Sequence, residues 1–151
     1  MEFVEYQTLS AWKSKDFDDS SWIDILSNDQ REELLMLAKS LPDKEDEWLT
    51  IAKSDLALNY LKPVFVKTNE ELERGRGFVL LRDLGITGDD VDLAYRVNWI
   101  LALGLGDVIA QNANGEVIGA VQAVVQADDN GAKTRGYVSN AELRFHCDGG
   151  D

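Results

Sequence analysis

The chain has 151 residues, 44% hydrophobic and 28% charged, the balance of one ordinary soluble globular domain rather than of a disordered or fibrous chain. Twenty-eight acidic residues against fifteen basic ones give a formal charge of -13, a mean field that repels phosphate backbones and anionic lipid, so neither nucleic acid nor a membrane surface is an expected partner. The single cysteine, Cys147, excludes an intramolecular disulfide, and no signal or membrane-spanning window is evident, so a reducing cytoplasm is the expected compartment.

Residues 1 to 27 mix Phe3, Tyr6, Trp12, Phe17 and Trp22 with acids and keep no period, which predicts a packed, irregular arm. Asp29, with Glu32 three residues on, has the chemistry of a helix N-cap and capping box. Leu34, Leu35, Leu37, Ala38 and Leu41 then form one apolar face. That helix should stop before Pro42, because a proline ring disfavours helical geometry in the residue ahead of it. A second helical stretch is expected between Asp46 and Leu61 and a third between Val64 and Arg74, with Pro63 separating them. The acidic run at 43–47 lacks the ligand spacing of a calcium loop and reads as a solvated helix start.

Gly75 and Gly77 flank the end of the third helix, and GFVLLRDL is apolar enough for a short buried strand. The segment from Asp89 to Leu103 carries Val91, Ala94, Tyr95, Val97, Asn98, Ile100 and Leu101 mainly at steps of three and four, predicting an amphipathic helix packed on a sheet. GRG at 75–77 and GLG at 104–106 do not continue as a dinucleotide fingerprint and read as helix C-terminal glycines. The four tryptophans, Trp12, Trp22, Trp48 and Trp99, read as core or half-buried packing rather than as a sugar platform. DVIAQ and EVIGAVQAVV predict two strands joined at Asn114-Gly115, the dipeptide that most favours a tight hairpin, and Tyr137 to Asp148 reads as a further extended segment. Helices first and strands late is the order of an α+β fold.

Chemistry concentrates at His146 and Asp148. Side chains two apart on a strand project to one face, so an imidazole and a carboxylate converge there while Cys147 points to the other face. The pair supplies two corners of the two-histidine, one-carboxylate triad that leaves iron(II) open positions. In a chain where roughly one residue in five is acidic, a lone His-x-Asp is also a frequent accident. Asn140 and Glu142, six and four residues earlier on the same strand face, are candidates to line a substrate pocket, with a solvated or turn-stabilising role as the alternative. Gln111 and Asn112, before the hairpin, are placed to hydrogen-bond either a polar substrate or their own loop backbone.

The string GYVSNAELRFHCDGGD, residues 136–151, resembles the iron-ligand segment of the taurine dioxygenase-like (TauD/TfdA) family of iron(II)/2-oxoglutarate-dependent oxygenases. GRGFVLLRDL (75–84) is similar to that family's early core strand, and LGLGDVIAQNANGEVIGAVQ (103–122) to the segment leading into its hairpin, so the likeness runs with gaps from Trp12 onward. The resemblance implies that His146 and Asp148 are metal ligands for Fe(II), that 2-oxoglutarate is the cosubstrate, and that dioxygen and a small organic molecule are the other reactants. It implies oxidative decarboxylation of 2-oxoglutarate to succinate, coupled to removal of hydrogen from a substrate C–H bond.

The implied fold is α+β, part of a double-stranded β-helix (jelly-roll) core with N-terminal helices packed on it. Residues 1–151 then form a single domain, the N-terminal part of a larger oxygenase, with a mainly helical arm over 1–74 and the start of the jelly-roll over 75–151. Arg144 stands where the family commonly has proline, and Cys147 where it commonly has threonine. The family's second histidine and its 2-oxoglutarate-binding arginine lie downstream of the His-x-Asp segment, and His146 is the only histidine in these residues. The expectation is therefore an oxygenase fragment that is inactive alone. The competing expectation is a non-catalytic remnant or binding module of the same fold, with homo-oligomerisation through open strand edges. A zinc hydrolase is the third reading that two ligands leave open.

Overall fold

The computed structural model describes residues 8–17, 20–109 and 117–119. The chain divides into two compact units, Met1–Val108 and Ile109–Asp151. In the first, α1 (Asn28–Ser40), α3 (Leu61–Arg74) and α4 (Val91–Leu105) pack together beside a two-stranded sheet of β1 (Ile23–Ile25) and β2 (Leu80–Arg82). A single-turn helix, α2 (Glu45–Trp48), and 3-10 turns at Ser14–Asp16 and Lys53–Asp55 complete the described elements. No described helix is long and apolar enough to cross a membrane.

Helix α1 is capped two residues earlier than the Asp29/Glu32 pattern suggests. Ser27 Oγ accepts the Gln30 N–H at 3.3 Å and Gln30 Oε1 accepts the Ser27 N–H at 2.9 Å. Serine is as competent a cap as aspartate, and moving the start leaves the Asp29 charge in the first turn, where the helix dipole favours it. The expected face is the buried one, with Leu34, Leu37, Ala38 and Leu41 all below a tenth exposed. Leu41, ahead of Pro42, is extended at φ -62° and ψ 144°, and the helix ends at Ser40 as the proline requires.

The helix expected between Asp46 and Leu61 is reduced to α2 and one 3-10 turn. Short polar side chains take the backbone partners that a helix would need. Thr50 Oγ1 donates to the Glu47 carbonyl at 2.7 Å, and Asp55 Oδ2 accepts the Ala52 N–H at 2.8 Å. Pro63, in contrast, does not delay α3 to Val64. The helix begins at Leu61, and proline is tolerated in a first turn whose N–H groups have no intrahelical acceptor.

Of the expected aromatic arm, Phe3 and Tyr6 lie outside the described residues, while Trp12, Phe17 and Trp22 cluster on Phe78 and the arm contributes a strand that its three residues are too short to announce. Phe78 stacks edge-on against Trp12 and Phe17 at 5.1 and 5.3 Å, with Trp22 at 6.0 Å. Trp12 Nε1 donates to the Arg76 carbonyl at 3.0 Å. These contacts bring residues 20–26 beside 78–82, where β1 and β2 run parallel with Ile23 opposite Leu80, Asp24 opposite Leu81 and Ile25 opposite Arg82. The buried strand expected in GFVLLRDL is thus shorter and more open, with Leu80 42% exposed.

Asp90 caps α4 by accepting the Leu93 N–H at 3.0 Å, and the helix runs to Leu105, with Gly106 as its C-cap as Gly75 is for α3. Its buried face differs from the one expected. Arg96, Val97, Trp99, Ile100, Leu103 and Gly104 are buried, whereas Val91 and Asn98 are exposed. Trp99 offers more apolar area than any other side chain on the helix, and it turns the burial toward itself and Trp48, 5.9 Å away between ring centroids. Among the described residues this face packs on α1 and α3, not on a sheet. Trp48 and Trp99 are core residues, in line with the packing role read for them.

Gly104 on α4 packs directly against the Phe65 ring of α3. A Cβ there would meet the Phe65 ring at 2.3 to 2.6 Å, well inside van der Waals contact. Gly104→Ala is expected to lower stability by about 1–3 kcal/mol through overpacking, despite alanine's better helix propensity. Thermal unfolding of the two chains, with Phe65→Leu as the relieving second substitution, checks it.

Of the two strands expected after Gly106, residues 107–109 have no regular structure and 117–118 are bends, so neither strand extends over those positions. The Asn114-Gly115 turn and the remainder of both segments lie outside the described residues, as does the extended segment expected from Tyr137 to Asp148.

Candidate functional site

The expected metal ligands His146 and Asp148, and the pocket candidates Gln111, Asn140 and Glu142, lie outside the described residues. Among the described residues no group of three or more histidine, cysteine or acidic side chains is placed to hold a metal ion. Thr68 Oγ1 and Trp99 Nε1 are buried without a hydrogen-bond partner among the described residues, whereas the charged groups buried there, Glu33 and Arg96, fasten helix ends.

Glu33, on α1 and 4% exposed, is the clearest of these. Its Oε1 accepts the Asn59 N–H at 2.8 Å, and its Oε2 accepts those of Tyr60 and Leu61 at 2.9 and 2.7 Å. The N-cap of α3, Tyr60, supplies no side-chain acceptor, so a carboxylate from α1 caps a helix that begins 28 residues later. Burial pushes the Glu33 carboxyl up, but the N–H groups of Leu61, Asn59 and Tyr60 together outweigh it and hold its pKa below 4.5. A carboxylate whose two oxygens are both engaged by backbone donors is poorly suited to act as a base.

Arg96 does the corresponding work at the other end of α1. Its Nη1 donates to the Leu41 carbonyl at 2.8 Å, its Nε to Asp92 Oδ2 at 2.7 Å, and the guanidinium lies 5.6 Å from the Trp48 ring centroid. Trp48 Nε1 in turn donates to the Pro42 carbonyl at 2.8 Å. Arg76 binds Glu71 at 2.6 Å and reaches Ser21 Oγ and the Ser21 carbonyl, tying the arm to the end of α3. The Arg76 guanidinium and then its backbone N–H hold the Glu71 carboxyl below its usual value. Lys67 pairs with Asp24 across α3 and β1.

Two of the clefts lined by the described residues bear on function. One, of about 240 Å³, lies between the β1 end and α3 and contains the Lys67–Asp24 pair. The other, of about 300 Å³, lies between α3 and residues 53–58. Its α3 wall is Lys62, Phe65, Val66 and Asn69, at the i, i+3, i+4, i+7 spacing of one helical stripe. That spacing is legible in the sequence, but the opposite wall is not, because residues 53–58 follow a short 3-10 turn closed by Asp55 and pinned by the Lys53 bond to the Gly104 carbonyl.

No family model matches the chain. It is 26% identical over 143 residues to FR-33289 synthase of Streptomyces rubellomurinus (strain ATCC 31215). The match covers 94% of this chain and 42% of that protein, so the chain spans about two fifths of the length of the curated relative it matches. Nearly all of these residues are thus similar to part of an enzyme.

Proposed function

We propose that the chain is the N-terminal part of an iron(II)/2-oxoglutarate-dependent oxygenase acting on a small organic substrate. The observation that carries this reading is the donor pair His146 and Asp148, two residues apart within the family-like string 136–151. Similarity along 94% of the chain to a synthase supports an enzymatic origin, and the oxygenase chemistry rests on the string. The accompanying fold is a double-stranded β-helix that begins within residues 75–151.

In this reading His146 Nδ1 or Nε2 and a carboxylate oxygen of Asp148 hold iron(II), which when bound supplies the redox chemistry of dioxygen and 2-oxoglutarate. Neutral imidazole and ionised carboxylate are the protonation states that bind, so metal affinity falls as pH drops through the histidine range. His146 is the sole histidine of these 151 residues. A two-histidine triad therefore draws its second imidazole from outside them, and so does the arginine that pairs with 2-oxoglutarate.

The test is anaerobic iron(II) titration of the 151-residue chain beside His146→Ala and Asp148→Ala, with succinate assayed in parallel. Weak binding that each substitution abolishes, with no succinate formed, is the expected result. Undiminished binding by His146→Ala would sink the ligand assignment. Succinate formation by the 151-residue chain itself would overturn the claim that the site is incomplete.

A further inference from the structure

We propose that the groove between α3 and residues 53–58 binds an aliphatic carboxylate, its anionic head held by Lys53 and Lys62 and its chain laid on Leu56, Leu58, Phe65 and Val66. The inference is independent of the iron reading and stands on the charge and shape of the groove alone.

The molecule carries nearly two acids for each base, 28 against 15, yet among the described residues the groove is lined by two lysines and no acidic side chain. Of the acids near it, Asp55 and Glu33 are already engaged, while Glu70, beside Asn69 on α3, is exposed and does not line the groove. Asp55 turns back to accept the Ala52 N–H at 2.8 Å, and both Glu33 oxygens are taken by the N–H groups of Asn59, Tyr60 and Leu61. Lys53 is ordered by donating to the Gly104 carbonyl at 2.5 Å, which leaves other Nζ hydrogens available. Lys62 is exposed and has no hydrogen bond or ion pair among the described residues. Two ammonium groups with no carboxylate between them favour an anion from solution.

The rest of the lining is apolar. Phe65 is buried against Gly104, while Val66 is 51% exposed and lines the groove. Leu56 and Leu58 form the opposing side, and Ser54 and Asn69 add polar groups beside the apolar floor. At about 300 Å³ the groove is at the lower end of small-molecule sites, large enough for a short hydrocarbon chain and too small for a cofactor. An apolar floor with cations and no acids excludes an ammonium ligand and gives inorganic anions nothing beyond the charge.

The experiment titrates the full chain with octanoate, butyrate and 1-octanol, following backbone amide shifts by NMR and heat by calorimetry. Octanoate should saturate, with shifts concentrated at residues 53–58 and 62–69. A fully buried methylene is worth roughly fourfold in affinity, so in this open groove butyrate should bind about tenfold more weakly. Octanol should lose at least tenfold, as should octanoate with Lys62→Glu or, should that variant fold poorly, Lys62→Met. Octanol binding as tightly as octanoate would reduce the site to a greasy patch. Equal binding of butyrate would reduce it to a surface ion site, and unchanged affinity in both Lys62 variants would remove the assigned residue. An acidic, leucine-containing peptide that binds where octanoate does not would replace the small ligand with a protein partner. Each of these four results overturns the proposal.

Discussion

Glu33→Ala is expected to lower the stability of the chain by about 3 kcal/mol, because one truncation removes the acceptors of three backbone N–H groups at the start of α3. The three donors do not weigh equally. Asn59 and Tyr60 are exposed residues whose N–H groups can turn to water, whereas Leu61 is fully buried and its N–H, with the shortest of the three bonds at 2.7 Å, is left stranded. Glu33→Gln keeps one carbonyl oxygen but presents an amide NH2 to another N–H, so about half of the loss is expected. Urea unfolding of the three chains orders them, and a loss below about 1 kcal/mol for Glu33→Ala would show that the carboxylate is incidental to the helix start.

The same group gives a pH signature of known sign. The Glu33 pKa is lower folded than its ordinary 4.5, so its contribution is present above the unfolded value and is lost as pH falls through the folded one. Glu71 is shifted in the same direction by Arg76 and adds to the acid loss. The difference in stability between the unchanged chain and Glu33→Gln isolates the first term. It should be constant near neutrality and shrink below about pH 4.5. A difference that instead grows on acidification would mean that Glu33 folds protonated.

How far the sequence discloses this scaffold depends on whether a local signal competes with a tertiary one. Pro42 ends α1 by sterics within its own dipeptide, and the stop is legible. Pro63 has the same ring, but its position inside a first turn, with Glu33 supplying the cap from another helix, makes it a helix residue instead of a boundary. The stretch from Asp46 to Leu61 carries helical composition, yet Thr50 and Asp55 close turns and Glu33 fixes its end. On α4 the polar label of Arg96 hides a residue only 9% exposed, and the face shifts with it. Three-residue strands carry too little period to announce themselves, and β1 and β2 are brought together by aromatic residues that cluster on Phe78 from far apart in sequence and by the Arg76 bonds to Ser21. The candidate site is the opposite case. His146 and Asp148 are proposed as a donor pair from spacing, residue type and the surrounding string alone, and both lie outside the described residues.

Arg96 offers the second large effect, and its three substitutions separate what a buried guanidinium does. Arg96→Ala removes the donor to the Leu41 carbonyl and the cover over Trp48, along with an ion pair whose acid is exposed, and a loss of about 2–4 kcal/mol is expected. Arg96→Met keeps most of the packing on Trp48 but leaves the Leu41 carbonyl without its donor, so about 1–3 kcal/mol should go. Arg96→Lys keeps the charge and one donor, but an ammonium is a point charge and cannot serve Leu41 on one side and Asp92 on the other as the planar fork does. Lysine should therefore fall between the unchanged chain and methionine if the carbonyl cap dominates, and below methionine if filling the space beside Trp48 dominates. The Asp92 pair is exposed on its acid side, 75% for that carboxylate, and contributes little either way. Denaturant unfolding of the three variants, with tryptophan emission reporting on Trp48 and Trp99, distinguishes the two orders. Equal stability of all three with the unchanged chain would show that the end of α1 is held by Trp48 and its bond to Pro42 alone.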